Sequence, residues 1–245
     1  MNIFQAIVYF ALISILGYIY ETTFCSIRDG KWTNRGFLFG PVIPIYGVGA
    51  LFGTICFDLF NFNLISFIIF SIIVSSVLEY FTHYLLEKLF HAYWWDYHDI
   101  PLNINGRICI FFSICFGLGG TFIIYVLNPL LIPRIVSFDQ NFINVLSLFI
   151  VSLFSIDITL TVNVLTNFEE KIMELNDSFN YKMEGIFETI EEKIPNIVLF
   201  KPKFLYAKST LNRIKGFKIA NIKDSSLINS LNKKKEELFF SNKTK

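Results

Sequence analysis

The chain has 245 residues, 53% of them hydrophobic and 17% charged, against about 25% charged in an ordinary soluble domain. Residues 1–167 hold 15 charged groups and residues 168–245 hold 26, so the average conceals an apolar part and a heavily charged one. The first cannot be an ordinary soluble globule and the second cannot cross a membrane. The fold class this implies is all-α: a polytopic membrane protein with about five transmembrane helices, the second of them broken, and a helical cytoplasmic tail.

Residues 3–20 are 18 uncharged residues ending at Glu21, enough to cross a hydrocarbon layer of roughly 30 Å at about 1.5 Å per residue. No cation precedes them and no small-x-small pattern follows, so a retained span is expected rather than a signal peptide. Residues 37–57 are also uncharged but carry Gly40, Pro41, Pro44, Gly47, Gly49 and Gly53. Such a segment is expected to open with broken or re-entrant backbone, which membrane depth tolerates only where protein or a wet cavity satisfies the freed groups. Residues 64–86 contain Glu79 and His83, residues 108–131 are uncharged, and residues 142–166 contain one acid, Asp157. These make spans three to five and close a membrane domain over residues 1–167.

Behind it, Ile172, Leu175, Phe179, Met183, Ile186, Ile190 and Ile194 recur at threes and fours, the period of an amphipathic helix. This helix, residues 168–194, is acidic, with 8 acids and 3 bases. Residues 195–245 reverse the sign with 12 bases and 3 acids and form a basic, partly disordered cytoplasmic segment. A basic segment next to a membrane domain is drawn to anionic lipid headgroups. Nucleic acid is an unlikely partner, because no recognition motif accompanies the charge.

Lys and Arg favour the cytoplasmic side of short loops. Residues 21–36 hold Arg28, Lys31 and Arg35, and residues 87–107 hold Lys88 and Arg107; residues 58–63 hold none and residues 132–141 only Arg134. Five spans with the amino terminus outside and the carboxy terminus in the cytoplasm put every basic segment inside. Cys25, Cys56, Cys109 and Cys115 show no metal-finger or redox spacing and are expected to pack as small apolar residues.

Residues 34–50 read NRGFLFGPVIPIYGVGA, residues 78–80 read LEY, and residues 94–109 read WWDYHDIPLNINGRIC. In that order these blocks resemble the bacterial family called putative ABC-transporter type IV, or CmpB-like membrane proteins, over roughly residues 5–130. The resemblance implies a permease-like membrane subunit with glutamates at 79 and 87. The chain departs from the pattern at Tyr18, where a tryptophan is expected, and at His98, where a serine is expected; His83 is not part of the pattern.

Glu21 follows the first span and Arg35 opens the second, so the two can pair bidentately or simply snorkel into headgroups. Glu79, His83, Glu87 and His91 recur every four residues, which puts neighbours on one helical face about 6 Å apart along the axis. His83 and Glu87 could share a divalent ion only with a ligand such as Asp96 or Asp157 from elsewhere. A buried Glu79 paired with an arginine such as Arg107 is the preferred reading, since intramembrane acids usually face the protein interior. Tyr93, Trp94, Trp95 and Tyr97 suit an interfacial aromatic belt. Asp96 with Asn103, Asn105 and Arg107 offers a polar surface, and the Asn105-Gly106 turn can send Arg107 back toward Glu79 or Glu87. The leading site is therefore Glu21, Arg35, Glu79, Glu87, Asp96 and Arg107, converging at the cytoplasmic leaflet to bind a zwitterionic or anionic ligand or to form a structural charge network. Asp157 is a secondary candidate.

No Gly-x-x-x-x-Gly-Lys-Ser/Thr phosphate loop occurs, so in an ABC system the ATPase would be a separate subunit. No resident metal or cofactor is expected; besides the bilayer and an ATPase, a second copy of the chain is a possible partner. Three functions stand open: a permease-like protein, a membrane-embedded enzyme on a lipid or lipid-linked substrate using Glu79, Glu87, Asp96 or His98 for proton transfer, and a non-catalytic scaffold or sensor working through its tail.

Overall fold

The computed structural model describes residues 1–179, with side chains through Thr166, and the two-residue strand 216–217. The acidic helix beyond Phe179, and the basic segment apart from that strand, lie outside the described residues.

The first helix, α1 (Ile3–Asp29), begins in a capping box in which Asn2 accepts from the Gln5 amide while the Gln5 side chain accepts from the Asn2 amide, both at 2.9 Å. These contacts satisfy two of the amide donors that every helix start leaves open. It ends at Gly30, whose φ of 62° suits a residue without Cβ. Glu21 and Arg28 thus lie within the helix, not in a loop after it.

Residues 37–43 are not helical, and α2 (Pro44–Leu59) begins only at Pro44, where the missing N–H costs nothing. With 16 residues it is about 24 Å long, short of a full crossing. The broken opening and regular later half match the expectation for this segment.

α3 (Leu64–Phe90) is capped by Asn63, which accepts from the Ser66 amide at 2.8 Å. Next come three two-residue strands, β1 (Ala92–Tyr93), β2 (Asn103–Ile104) and β3 (Ile108–Cys109). The last two pair antiparallel. β1 pairs antiparallel with β4 (Gly216–Phe217), which brings one point of the basic segment against the loop that follows α3.

α4 (Ile110–Phe122), a π turn (Ile123–Leu127) and α5 (Asn128–Ser137) form one continuous rod. The π turn sits just ahead of Pro129, which has no N–H to give and whose ring crowds the preceding turn. It leaves Asn128 buried, accepting from the Tyr9 hydroxyl at 2.6 Å and donating to Thr54 Oγ1 at 2.9 Å. This trio joins α1, α2 and α5 inside the apolar layer, where hydrogen bonds between helices stand in for the missing hydrophobic drive. Arg134, expected in an outer loop, lies instead in α5 and bonds the Leu130 carbonyl.

α6 (Gln140–Phe179) runs across residue 167 without a break. The segment expected as the fifth span and the start of the acidic stretch are therefore one helix.

Among the described residues, four helical stretches are long and apolar enough to cross a membrane: Ile3–Asp29, Leu64–Phe90, Ile110–Ser137 and Gln140–Thr166. Pro44–Leu59 is a shorter apolar helix beside them. On α3, Ile65, Ile69, Ile73, Val77 and Phe81 form an exposed stripe, a face that water would penalise and lipid would not. These are the features of a multi-pass membrane protein.

One apolar core gathers Tyr9, Ile13, Ala50, Ile135 and Ile143; a second, around Ala92, Trp94 and Leu165, closes the end of the bundle where α1 and α3 finish. All four cysteines are free thiols; Cys25, Cys56 and Cys109 are buried, whereas Cys115 is exposed.

Candidate functional site

The polar groups concentrate where α1 and α3 end, and the broken segment ahead of α2 brings several of them there. Three of its amides have partners outside it. Phe39 and Gly40 donate to the two carboxylate oxygens of Asp157 on α6, each at 2.8 Å, and Ile43 donates to the Ser14 carbonyl of α1 at 3.0 Å. Those dipoles are thus spent on the protein's own groups. Close packing accompanies them: a Cβ on Gly17 would stand 2.4 Å from Tyr46 Cγ, and one on Gly47 would stand 2.6 Å from the Phe10 carbonyl oxygen.

Arg35, just before this segment, is shared. Its Nε donates to Glu21 Oε1 at 3.3 Å and its Nη1 to the Trp94 carbonyl at 2.9 Å. The Tyr46 hydroxyl donates to the other oxygen, Glu21 Oε2, at 3.2 Å. One ion pair therefore joins α1, the chain just before the broken segment, α2 and the loop after α3.

A second ion pair lies on that loop. Asn105 and Gly106 adopt φ values of 54° and 66°, and the Arg107 amide donates to the Ile104 carbonyl at 3.0 Å. This is the Asn-Gly turn favoured in tight hairpins, because both central residues tolerate positive φ. It sends Arg107 to Glu87, with Nη2 and Nε donating to Oε2 at 3.1 and 3.3 Å, while Nη1 donates to the Tyr80 hydroxyl at 2.8 Å. The guanidinium also lies 5.1 and 5.3 Å from the Tyr80 and Tyr84 ring centres, within cation–π range. Burial works against the Arg107 charge, but Glu87 and Tyr80 outweigh it and hold the guanidinium above its ordinary value.

Arg107 thus takes Glu87 and not Glu79. Glu79, 6% exposed, instead accepts the Tyr97 hydroxyl on Oε1 at 2.9 Å, and Tyr97 stacks on Phe112 with ring centres 5.0 Å apart. Burial first, and then the Glu79 carboxylate it touches, push the Tyr97 phenol well above the usual tyrosine range.

His83 stands between Glu87, 3.6 Å from Nδ1, and the Trp95 carbonyl, 3.1 Å from Nε2. Among the described residues no three His, Cys, Asp or Glu side chains come together as metal ligands do, so a shared ion on His83 and Glu87 lacks a third ligand there. Trp94 and Trp95 are not a plain belt: Trp94 is buried, and Trp95 Nε1 donates to the Arg107 carbonyl at 2.9 Å. Asp96 pairs with His98 through both its backbone amide and Nδ1, on the exposed side of the loop.

The six residues singled out in the sequence therefore fall into four contacts: Glu21 with Arg35, Glu87 with Arg107, Glu79 with Tyr97, and Asp96 with His98. The sequence reading missed three partners, Tyr46, Tyr80 and Tyr97, and the tie from Asp157 to the broken segment. A tyrosine two positions after Pro44 and an acid inside the last span were the available signals.

A model of the family described as putative ABC-transporter type IV matches residues 8–162. The chain belongs to this family. The matched stretch runs past the three sequence blocks and takes in Asp157, so the whole described site lies within the family's extent. Family and helices together make this a membrane protein related to transport. No curated protein and no solved structure matches the chain.

Proposed function

We propose that the protein is a permease-like membrane subunit that binds a polar solute, zwitterionic or anionic, at the end of the bundle where α1 and α3 finish. The observation that carries this reading is the pair of guanidiniums, Arg35 and Arg107, held by Glu21 and Glu87 in an otherwise apolar bundle. Guanidiniums fixed by a carboxylate on one side are preorganised to take a carboxylate or phosphate on another. Arg35, Glu21, Glu79, Glu87, Arg107 and Asp96 would supply the polar contacts.

In this reading the chain crosses the membrane five times, with α2 and residues 37–43 together making the second crossing. The amino terminus lies outside and the basic segment in the cytoplasm, against anionic lipid. The site then opens at the cytoplasmic leaflet, where a separate ATPase subunit or a second copy of the chain would dock.

The test is purification of the full chain in lipid nanodiscs, followed by mass spectrometry of small molecules that come with it. A polar solute retained by wild type and lost from Arg107→Ala and Arg35→Ala, both still folded, supports the reading. Flux of that solute into proteoliposomes supports it further. Retention of the same molecules by both variants overturns it.

A further inference from the structure

The acids and bases around this site do not balance. Glu21, Glu79 and Glu87 are three carboxyl groups, and the guanidiniums bonded among them are two. Arg35 is committed to Glu21 and Arg107 to Glu87. Among the described residues no ion pair reaches Glu79. Its Oε1 has the Tyr97 hydroxyl, while its Oε2 is buried with no hydrogen-bond partner. Among the described residues, it is the one buried carboxylate oxygen left without a hydrogen-bond partner.

The surroundings sharpen the point. α4, packed along α3, brings no charged side chain, and its only titratable group is Cys115. α2 brings Tyr46, whose hydroxyl is given to Glu21. α6 brings Asp157, held by two amides. The loop brings Tyr93, Cys109 and Tyr97, and of these Tyr97 is the one bonded to Glu79. On α3 itself, one and two turns beyond Glu79, His83 and Glu87 face each other and Arg107. The charge that acts on Glu79 is Glu21, a like charge already matched by Arg35.

A bare carboxylate with one donor for two oxygens, in a dry setting, is among the costliest groups a protein can hold. Taking up a proton removes the charge and turns Oε2 into a hydroxyl, while Oε1 keeps the bond from Tyr97. We infer that Glu79 is a proton-binding site of the protein, carrying an exchangeable proton on Oε2 with Tyr97 bonded to Oε1. Occupation and release of that proton change the site by one unit of charge, so solute binding next to Glu79 is coupled to protons. The proton site follows from the geometry at Glu79, and only this coupling rests on the permease reading.

Two measurements on the full chain in nanodiscs read the proton directly. A hydrophobic carbodiimide adds to protonated, poorly hydrated carboxylic acids and leaves a stable acylurea that peptide mass spectrometry locates. The expected result at neutral pH is modification at Glu79, falling to background as the pH is raised, with Glu21 and Glu87 unmodified. In infrared difference spectra over the same pH ramp, a protonated carboxyl band is lost at alkaline pH, shifts in Tyr97→Phe and is missing in Glu79→Gln.

Modification of Glu21 or Glu87 with Glu79 unmodified, or no protonated carboxyl band at any pH, would overturn the assignment. The wild-type labelling map answers the question even if Glu79→Gln does not fold. A labelled Glu79 in a protein that retains and transports no solute would leave the proton site standing and remove the permease reading alone.

Discussion

Asp157 holds Gly40. The carboxylate, midway along α6, accepts the amides of Gly40 and Phe39 at 2.8 Å each, 117 and 118 residues away along the chain. An acid in a membrane helix usually answers some polar need in the protein interior, and here the need is the backbone freed by the break ahead of α2. A Cβ on Gly40 would stand 2.8 Å from Asp157 Oδ2, so the two positions are fitted to each other.

Removing the carboxylate should therefore cost stability in steps. Asp157→Asn keeps an acceptor for one amide, whereas Asp157→Ala leaves both without one, at about 1–3 kcal/mol for each buried group left unpaired. Thermal unfolding in nanodiscs should rank wild type above Asp157→Asn and that above Asp157→Ala. Gly40→Ala should be damaging in wild type and much less so in the Asp157→Ala background, because the clash is with the group removed. Equal stability of wild type, Asp157→Asn and Asp157→Ala would show that the contact does not hold the segment.

Arg35 offers a different kind of test, because its two nitrogens serve two partners. A lysine is a point charge without the planar fork and cannot reach Glu21 and the Trp94 carbonyl together. Arg35→Lys should thus recover only part of what Arg35→Ala loses. Their side chains are 17% and 23% exposed, so the loss for Arg35→Ala should be about 1–3 kcal/mol, below that of a fully buried pair. Full recovery by lysine in an unfolding assay would reduce the contact to simple charge proximity.

The helices could be read from the sequence because uncharged runs of membrane length have few alternatives. The break before α2 could be read because Pro41 and Pro44 cannot continue a helix. Pairing was harder. Glu21 with Arg35 followed from their places near one membrane face, but for Arg107 the expected partner was Glu79 and the structure pairs it with Glu87. That choice depends on the turn at Asn105 and Gly106 and on the Tyr80 hydroxyl, and so on side-chain directions that helical spacing does not contain. Asp157 pointed to a polar need, but nothing local to it names residues 39 and 40. Arg134 misled because a basic residue among prolines resembles a loop, whereas both Pro129 and Pro133 sit within the rod, with a π turn just ahead of the first.

Two glycines of α4 separate packing from propensity. A Cβ on Gly117 would stand 2.7 Å from the Ile72 Cα and 2.8 Å from its backbone nitrogen on α3, whereas one on Gly119 meets nothing within 4 Å. Backbone cannot swing aside as a side chain can. Gly117→Ala should force α3 and α4 apart at about 1–3 kcal/mol, while Gly119→Ala, two residues along, should be neutral or slightly stabilising. Comparable losses in both variants, measured as unfolding temperature in one detergent, would count against the close approach of these helices.

The Tyr97 phenol makes a prediction about pH with a definite sign. In the folded protein, burial and the neighbouring Glu79 hold its proton well above the ordinary tyrosine range; in the unfolded chain the proton leaves near pH 10. Above that pH the unfolded state binds fewer protons at this position than the folded state, so folding stability falls as pH rises. Below it both states are protonated and the group contributes no pH dependence. Tyr97→Phe removes the effect along with the hydrogen bond to Glu79. The variant should be less stable than wild type at neutral pH, and the gap should narrow above about pH 10. In an ultraviolet titration of the folded proteins, wild type and Tyr97→Phe should release the same phenolate signal through the ordinary range. A smaller signal from the variant would mean that Tyr97 ionises freely and is not sealed against Glu79.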